Sequence, residues 1–436
     1  MSGIYSLITK ILRNIHSNLR KMVLFKVIFK ILSFFEDKWI NSFFVSLYPK
    51  PSFLSFINKN KIISHYLFSP LIVIVVFAIF LLLSIEPISL NLEITLAIGF
   101  ISYFIGSMII PRFFFKKKKN IINFSMKDIY SIGFCLFIIA TLFFVISIAS
   151  VGGIPILKPS LRYALKPILS MPVFLVVPAV ALLGAAYLND YKKGKIGFSR
   201  VRFRFLLLML ISTGIIVSLG YRTPIIAILL IIVIMGYYGK IISTWEIIVA
   251  VAIGFAAIIG IGYFRSLAEY MVTKNTNPLY TLQSRADFTV HVLNLLSYIS
   301  GDFGLLHGKL IASAIPTSEI GPRMLIGKLL AWRTQVTLTP TLIGPMFVDF
   351  GRFGVAIGMC LLGFIIGIGH KIIRLSKNPF YIGLYALLLT YAILGVETGL
   401  LDIQVLGYYA IGVVIYLLCI LKNTSLYDKL SKSIFS

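Results

Sequence analysis

The stretch FRFLLLMLISTGIIVSLGYRTPIIAILLIIVIMGYY, residues 203–238, decides the class of fold. It holds two apolar runs, 203–219 and 223–238, separated only by a short turn that contains Gly220 and Arg222. Runs of roughly 17–25 apolar residues cross a bilayer as helices, so the stretch predicts two spans joined by a tight turn. A helix-end cation that reaches toward the lipid headgroups is the first interpretation of Arg222.

The rest of the chain has the same character. It has 436 residues, 58% of them hydrophobic, and a mean hydropathy of +0.96. A soluble domain of this length could not bury so many apolar side chains, which predicts an all-α, polytopic membrane protein of about ten spans. The predicted spans are 68–86, 93–111, 129–149, 170–188, 203–219, 223–238, 246–263, 353–370, 379–396 and 404–421. The run 341–350 is too short and too polar to span, and is predicted to be a re-entrant or lip segment.

The cations predict the orientation. Lysines and arginines are frequent before the first span and in every second connection, and cytoplasmic connections carry that excess. Both termini are therefore predicted to be cytoplasmic, in a multi-pass protein of the cytoplasmic membrane. The net charge of +26 then reports topology, and no nucleic-acid partner is expected.

This topology divides the chain into five parts. The N-terminal part is predicted to be cytoplasmic, with an amphipathic helix over 21–35 that lies on the membrane surface. A large outer loop separates the first seven spans from the last three. The parts are the N-terminal segment 1–66, spans one to seven in 67–263, the outer loop 264–352, spans eight to ten in 353–421, and the cytoplasmic tail 422–436.

Arginine is concentrated on the predicted outer face. Of 12 cations assigned outside, seven are arginines, whereas 22 of the 29 assigned inside are lysines. The planar guanidinium binds phosphate or carboxylate through two parallel hydrogen bonds, which predicts an outer chamber for a diphosphate. The alternative is helix-end positioning with ion pairs to the outer acids. The seven residues are Arg162, Arg222, Arg265, Arg285, Arg323, Arg333 and Arg352.

The outer loop contains a candidate base. Residues 278–300 read as an amphipathic helix that Pro278 begins, and Asp287 and His291 share one of its faces. An aspartate at this spacing can orient an imidazole as a general base, although such a pair is more often structural. Asp349 is a second candidate base, or a partner of Arg352 three residues later. Aromatic side chains such as Phe288 offer surfaces on which sugar rings can stack.

Other chemistry is not indicated. The three cysteines, Cys135, Cys360 and Cys419, all fall in apolar runs, so neither a disulfide framework nor a thiolate metal site is expected. The chain has no metal-ligand motif and no phosphate-binding glycine loop placed after a strand. We therefore predict no metal and no cofactor, and no nucleotide-driven reaction.

Four stretches, in order, resemble the oligosaccharide repeat-unit polymerases, the Wzy-like O-antigen polymerase family. The stretches are GGIPILKPSLR at 152–162, SLGYRTPIIAILL at 218–230, SRADFTVHVL with GPRMLIGK in the outer loop, and TLTPTLIGPMFVDFGRFGVAIGMCLLGFIIG at 337–367. They resemble, respectively, the family's early glycine-proline loop, its short arginine turn, its large outer loop and the return into the membrane.

The resemblance implies a metal-independent, membrane-embedded glycosyltransferase with a GT-C-like architecture. Its substrates would be oligosaccharide repeat units on polyprenyl diphosphate, joined on the outer face of the cytoplasmic membrane for surface polysaccharide synthesis. It also implies a chain-length regulator and a flippase as partners. The implied diphosphate ligands are Arg162, Arg222, Arg265, Arg285, Arg323 and Arg333, and the candidate bases are Asp349, Asp287 and His291.

Two related activities stay open. A ligase that transfers a finished glycan to another acceptor would use the same outer chamber. A flippase or transporter of lipid-linked glycans is less favoured, because such proteins usually show internal repeats and cations inside the spans. Neither feature is evident here. A purely structural subunit would leave the outer arginines without a role.

Overall fold

The computed structural model describes residues 13, 30–31, 33–38, 67–114, 126–157, 160–252, 254, 280–315, 320–331, 338–376 and 378–423. Every regular element among these residues is a helix, which confirms the all-α prediction. The helices named below are α1 (Ile72–Leu82), α2 (Leu90–Phe104), α3 (Met126–Val151), α4 (Val176–Lys192), α5 (Phe198–Leu219), α6 (Thr223–Tyr238), α7 (Tyr280–Ser300), α8 (Pro322–Ala331), α9 (Gly344–Ser376), α10 (Pro379–Thr398) and α11 (Ile403–Asn423).

Within the described part of the chain, six helical stretches are long and apolar enough to cross a membrane. They are Leu90–Phe113, Met126–Val151, Pro167–Lys192, Phe198–Leu219, Gly344–Ser376 and Pro379–Thr398. Three further predicted spans are shorter apolar helices, at Ile72–Leu82, Thr223–Tyr238 and Gln404–Ile415. The predicted span 246–263 lies mostly outside the described residues. The protein is thus a multi-pass helical membrane protein, and the count of ten spans stays a prediction.

The helical stretch Leu90–Phe113, which begins with α2, and helix α9 approach closely because glycines line their contact. A Cβ atom added at Gly106 would lie 2.1 Å from the carbonyl oxygen of Cys360. One added at Gly363 would lie 2.5 Å from the carbonyl oxygen of Tyr103. Small residues allow backbones to approach in this way in membrane bundles, where packing rather than water exclusion holds helices together. The α2–α9 pair is therefore a rigid part of the framework on which the outer loop rests.

Loops predicted to lie on the same side meet at the same end of the helices. At the predicted inner end, Lys371 Nζ donates to the carbonyl oxygens of Pro111, at 2.8 Å, and Arg112, at 3.2 Å. At the predicted outer end, the Ile156 amide donates to the Ser218 carbonyl oxygen at 3.2 Å. These contacts agree with the alternation of the connections. Which end faces the outside stays a prediction from the cation distribution.

The described part of the N-terminal segment contacts the predicted inner end. Glu36 Oε1 lies 3.3 Å from Arg200 Nε and 3.3 Å from Arg204 Nε, at the start of α5. Arg13 pairs with Asp128, which is 2% exposed at the start of α3. The amphipathic helix predicted over 21–35 lies mostly outside the described residues. The described contacts join this segment to the bundle through ion pairs.

Candidate functional site

Arg162 stacks on an aromatic side chain at the predicted outer end of α5. Its guanidinium carbon lies 5.0 Å from the centre of the Tyr221 ring, within the range of a cation–π interaction. Tyr221 in turn meets Phe174 edge to face, with ring centres 4.9 Å apart. The backbone hydrogen bond from Ile156 to Ser218 holds the Arg162 loop against the same turn. The structure therefore brings together two stretches that are about sixty residues apart in sequence.

Arg222 follows Tyr221 directly and occupies the N-cap position of α6. Gly220 ends α5 in the left-handed conformation, with φ of 79°, so the chain reverses within three residues. Pro224 fits the first turn of α6, where a missing amide hydrogen carries little cost. The Arg222 side chain is exposed. This places an arginine at the N-terminus of a helix, where the positive end of the helix dipole also favours an anion.

Two further predicted arginines pair with the end of α10 and the turn that follows it. Arg285 Nε donates to Glu397 Oε1 at 2.5 Å, and Arg323 pairs with Asp402. Arg323 also donates to the Thr398 carbonyl oxygen at 3.1 Å. Burial raises the pKa of Asp402, and Arg323 opposes that shift. The ion pairs that the alternative interpretation allowed are thus present at both arginines, and they join the outer loop to the end of α10 and the turn that follows it.

Asp287 does not orient His291. Its carboxylate oxygen Oδ1 accepts hydrogen bonds from the Ser84 hydroxyl at 2.8 Å and the Ile85 amide at 2.6 Å. The Glu86 amide is a third donor, at 3.2 Å. Burial acts to raise the pKa of Asp287, but these hydrogen bonds together hold it below its usual value. The described contacts of Asp287 therefore fasten α7 to the loop between α1 and α2.

His291 has a different carboxylate partner. Its Nδ1 lies 3.0 Å from Glu86 Oε1, and roughly half of the imidazole is exposed. A carboxylate at Nδ1 fixes the tautomer and leaves Nε2 as the atom that can accept a proton. The predicted oriented imidazole is thus present, but the residue that orients it comes from the loop between α1 and α2. Spacing within α7 gave no signal for this long-range pair.

Asp349 is fully buried. Its Oδ1 accepts from the Leu310 amide at 2.9 Å and its Oδ2 from the Ile311 amide at 2.8 Å. Both oxygens therefore bind backbone amides of the short helix Lys309–Ala312. Arg352 does not pair with Asp349; its Nη1 donates to Asp302 at 2.9 Å. This arrangement favours a structural role for Asp349, and its role as a base stays a prediction.

Two of the predicted ligands, Arg265 and Arg333, lie outside the described residues. Conversely, sequence reasoning missed Tyr221 and Glu86 as site residues. Tyr221 had a usable signal, because an aromatic residue next to an arginine in a tight turn is available to a second cation. Glu86 had none, since only the tertiary fold brings it to His291.

A family model described as "Putative O-antigen polymerase" matches residues 66–409. The chain belongs to the O-antigen polymerase family. The match covers the described helices from α1 to the first third of α11, with both arginine sites and the His291–Glu86 pair. Membership implies a glycosyltransferase-like membrane polymerase whose substrates are lipid-linked oligosaccharides, and it confirms the resemblance drawn from the four stretches.

Two archaeal relatives extend over most of the chain. The uncharacterized protein MJ0419 of Methanocaldococcus jannaschii is 26% identical over 369 residues, which are 84% of this chain and 96% of that protein. The uncharacterized protein MJ0420 of the same organism is 28% identical over 335 residues, 76% of this chain and 75% of that protein. No solved structure matches the chain.

Proposed function

We propose that this protein polymerises oligosaccharide repeat units carried on polyprenyl diphosphate, at the outer face of the cytoplasmic membrane. A hydroxyl oxygen of one unit attacks the anomeric carbon of the other chain, and a glycosidic bond forms. The bond between that carbon and the diphosphate oxygen breaks, and the polyprenyl diphosphate leaves with the electron pair. The reaction consumes no nucleotide, and the architecture is proposed to be GT-C-like.

The convergence of Arg162, Tyr221 and Arg222 at the N-terminus of α6 carries the proposal. The leaving diphosphate gains negative charge in the transition state, and groups held in advance toward that charge stabilise it most. Two guanidinium groups and a helix N-terminus supply that field without a metal. Among the described residues, no carboxylate forms an ion pair with Arg162, so its charge is available to a ligand.

His291 is the base that we propose for the acceptor hydroxyl. It is exposed, and Glu86 holds Nδ1, so Nε2 can take the proton and the pair can stabilise the imidazolium. Phe288 lies one turn earlier on the same face of α7 and is half exposed. An aromatic ring beside the base suits the apolar face of a sugar. Asp287 and Asp349, by contrast, are proposed to position α7 and the segment that follows it.

Arg285 and Arg323 are proposed to act mainly as positioning residues. Each already binds a carboxylate at the end of α10 or in the turn that follows it, and these contacts fix two separate parts of the outer loop. Breaking either pair would move the loop relative to the spans. The roles of Arg265 and Arg333 as diphosphate ligands stay proposals from the sequence.

Purified protein in lipid vesicles, given a repeat unit on polyprenyl diphosphate with chelator and no nucleotide, tests the reaction. The proposal expects a ladder of glycans that differ by one repeat unit, together with free polyprenyl diphosphate in equal amount to the bonds formed. Transfer of a single finished glycan to another acceptor would instead show a ligase. Movement of intact lipid across the vesicle without lengthening of the glycan would show a flippase.

A further inference from the structure

The segment 301–315, between α7 and α8, is fastened to the start of α9. The amides of Leu305 and Leu306 donate to the Val348 carbonyl oxygen, at 2.7 and 3.1 Å. The His307 amide donates to the Asp349 carbonyl oxygen at 2.9 Å. The carboxylate of Asp349 binds the two amides at the start of the Lys309–Ala312 turn. These hydrogen bonds therefore hold the segment 301–315 against the predicted outer end of the spanning helix α9.

Two glycines make that contact possible. Gly351 interrupts α9 with φ of 62° and ψ of −153°, so residues 344–350 form a separate short helix. A Cβ atom at Gly351 would lie 2.2 Å from the carbonyl carbon of Asp302. One at Gly304 would lie 2.4 Å from the Phe350 amide nitrogen. The break at Gly351, which agrees with the predicted lip at 341–350, is thus where the segment 301–315 docks.

The exposed side of this segment carries several large apolar side chains beside Asp302 and His307. Leu310 is fully buried against the bundle, whereas Phe303 is 74% exposed. The other exposed large apolar side chains of the segment are Leu305, Ile311 and Ile315. Exposed apolar patches of this kind on a folded segment mark an interaction surface, because leaving them in water costs free energy in proportion to their area. Lys309 is exposed on the same segment.

The patch continues into the lipid-facing side of α9. The rings of Phe303 and Phe353 lie 5.5 Å apart. Phe353 begins a row of exposed apolar residues spaced four apart along α9, which a spanning helix presents to lipid. The members of that row are Phe353, Ile357, Leu361 and Ile365. The exposed side of the segment 301–315 therefore prolongs a surface that hydrocarbon already covers.

We infer that the segment 301–315 is an interfacial element that inserts its apolar side into the bilayer leaflet at that end of the helices. Phe303 enters the upper hydrocarbon, and Lys309 reaches the lipid phosphates, as basic and aromatic residues of interfacial helices do. Asp349 is then the residue that holds this element in place, through its hydrogen bonds to backbone amides. The inference goes beyond the proposed chemistry and does not depend on it, since it rests only on the bilayer-spanning framework.

Spin-label accessibility in lipid vesicles tests the inference. A Phe303→Cys variant, with Cys135, Cys360 and Cys419 replaced by Ala, carries a nitroxide whose collisions with oxygen and with a water-soluble nickel chelate are measured. Ile357→Cys on the lipid-facing row of α9 is the control for hydrocarbon. Lys328→Cys, an exposed charged position on α8, is the control for water.

The inference expects the label at 303 to collide with oxygen several-fold more often than with the chelate, as at 357, with the opposite preference at 328. A label at 303 that behaves like 328 would overturn it. Poor access to both reagents, with magnetic coupling between labels on two molecules, would overturn it in favour of a second copy of this chain. No substrate is present, so neither outcome bears on the polymerase activity.

Discussion

The guanidinium carbon of Arg162 lies 5.0 Å from the ring centre of Tyr221, the residue that directly precedes Arg222. This contact joins the loop after α3 to the turn between α5 and α6. It places two of the outer arginines at the N-terminus of one helix, although they come from separate loops. In a protein family that acts on lipid-linked oligosaccharides, such a site matches the charge of a diphosphate leaving group.

The ring of Tyr221 is expected to matter more than its hydroxyl. Tyr221→Leu removes the surface that orients Arg162, and we expect kcat/KM to fall by about two- to fivefold, the scale of a cation–π interaction of about 0.5–1 kcal/mol at an exposed site. Tyr221→Phe keeps the ring and is the matched control, with activity close to that of the unmodified protein. Rates of ladder formation check both, and equal losses in the two variants would argue against the stacking role.

His291 is expected to act as the base, and Glu86 is expected to support its imidazole. His291→Ala should lower kcat by about a hundredfold or more, the usual contribution of a general base. Glu86→Gln should lower it less, because the imidazole is kept but its imidazolium loses a charged partner. Chemical rescue separates the base from its support: added imidazole should restore part of the rate lost in His291→Ala and none of the rate lost in Glu86→Gln. No rescue, with equal losses in the two variants, would assign the proton to another group.

The lowered pKa of Asp287 predicts how the stability of α7 in the outer loop changes in acid. Its pKa is below the usual value in the folded protein, so its contribution to stability is complete above the unfolded pKa of about 3.9 and is lost as pH falls through the lower, folded pKa. Hydrogen exchange of α7, corrected for intrinsic rates, should therefore rise sharply only below about pH 4.

Asp287→Asn should weaken protection of α7 at neutral pH by about 1 kcal/mol and flatten this dependence, because a neutral amide is a weaker acceptor. Glu93→Gln, an equal change of charge on the exposed side of α2, is the control. Equal behaviour of the two variants would show that Asp287 does not fasten α7.

Substitution of Asp349 distinguishes a structural role of this residue from a catalytic one. Both of its oxygens accept backbone amides, so Asp349→Asn turns an amide hydrogen of the side chain toward a donor. The leftover buried donor costs about 1–3 kcal/mol, and we expect faster hydrogen exchange and proteolysis across residues 301–315. Asp302→Asn, on an exposed carboxylate of the same segment, should show much less. A variant at Asp349 that keeps full protection but loses activity would support the base instead.

Much of the framework could be predicted from the sequence because spans depend on local composition. The runs at 203–219 and 223–238 form α5 and α6, joined at Gly220 and Arg222 as expected. The helix expected over 278–300 is described over Tyr280–Ser300. The break at Gly351 could not be assigned, because a glycine in an apolar run does not reveal whether another backbone approaches it.

The sequence predicted the types of residue at the site better than it predicted their contact partners. Residue types on the outer connections indicated arginines, acids and an imidazole, but partners come from tertiary contacts. Glu86 reaches His291 across 205 positions, and Asp402 reaches Arg323 across 79. The interpretation of Asp287 as the partner of His291 was wrong because helical spacing describes one face, while the helix packs against a loop that offers three donors to that carboxylate.

The central claim is that Arg162 and Arg222 bind the diphosphate, and glycan ladder formation by Arg222→Lys tests it most directly. The variant is measured in vesicles with chelator and no nucleotide, beside Arg162→Lys and Lys166→Arg as a neighbouring control. A lysine keeps the charge but loses the paired hydrogen bonds of a guanidinium. We predict insertion and folding as in the unmodified protein and a loss of kcat/KM of about tenfold or more in both arginine variants. Full activity in both, with lysine in place of arginine, would contradict the claim.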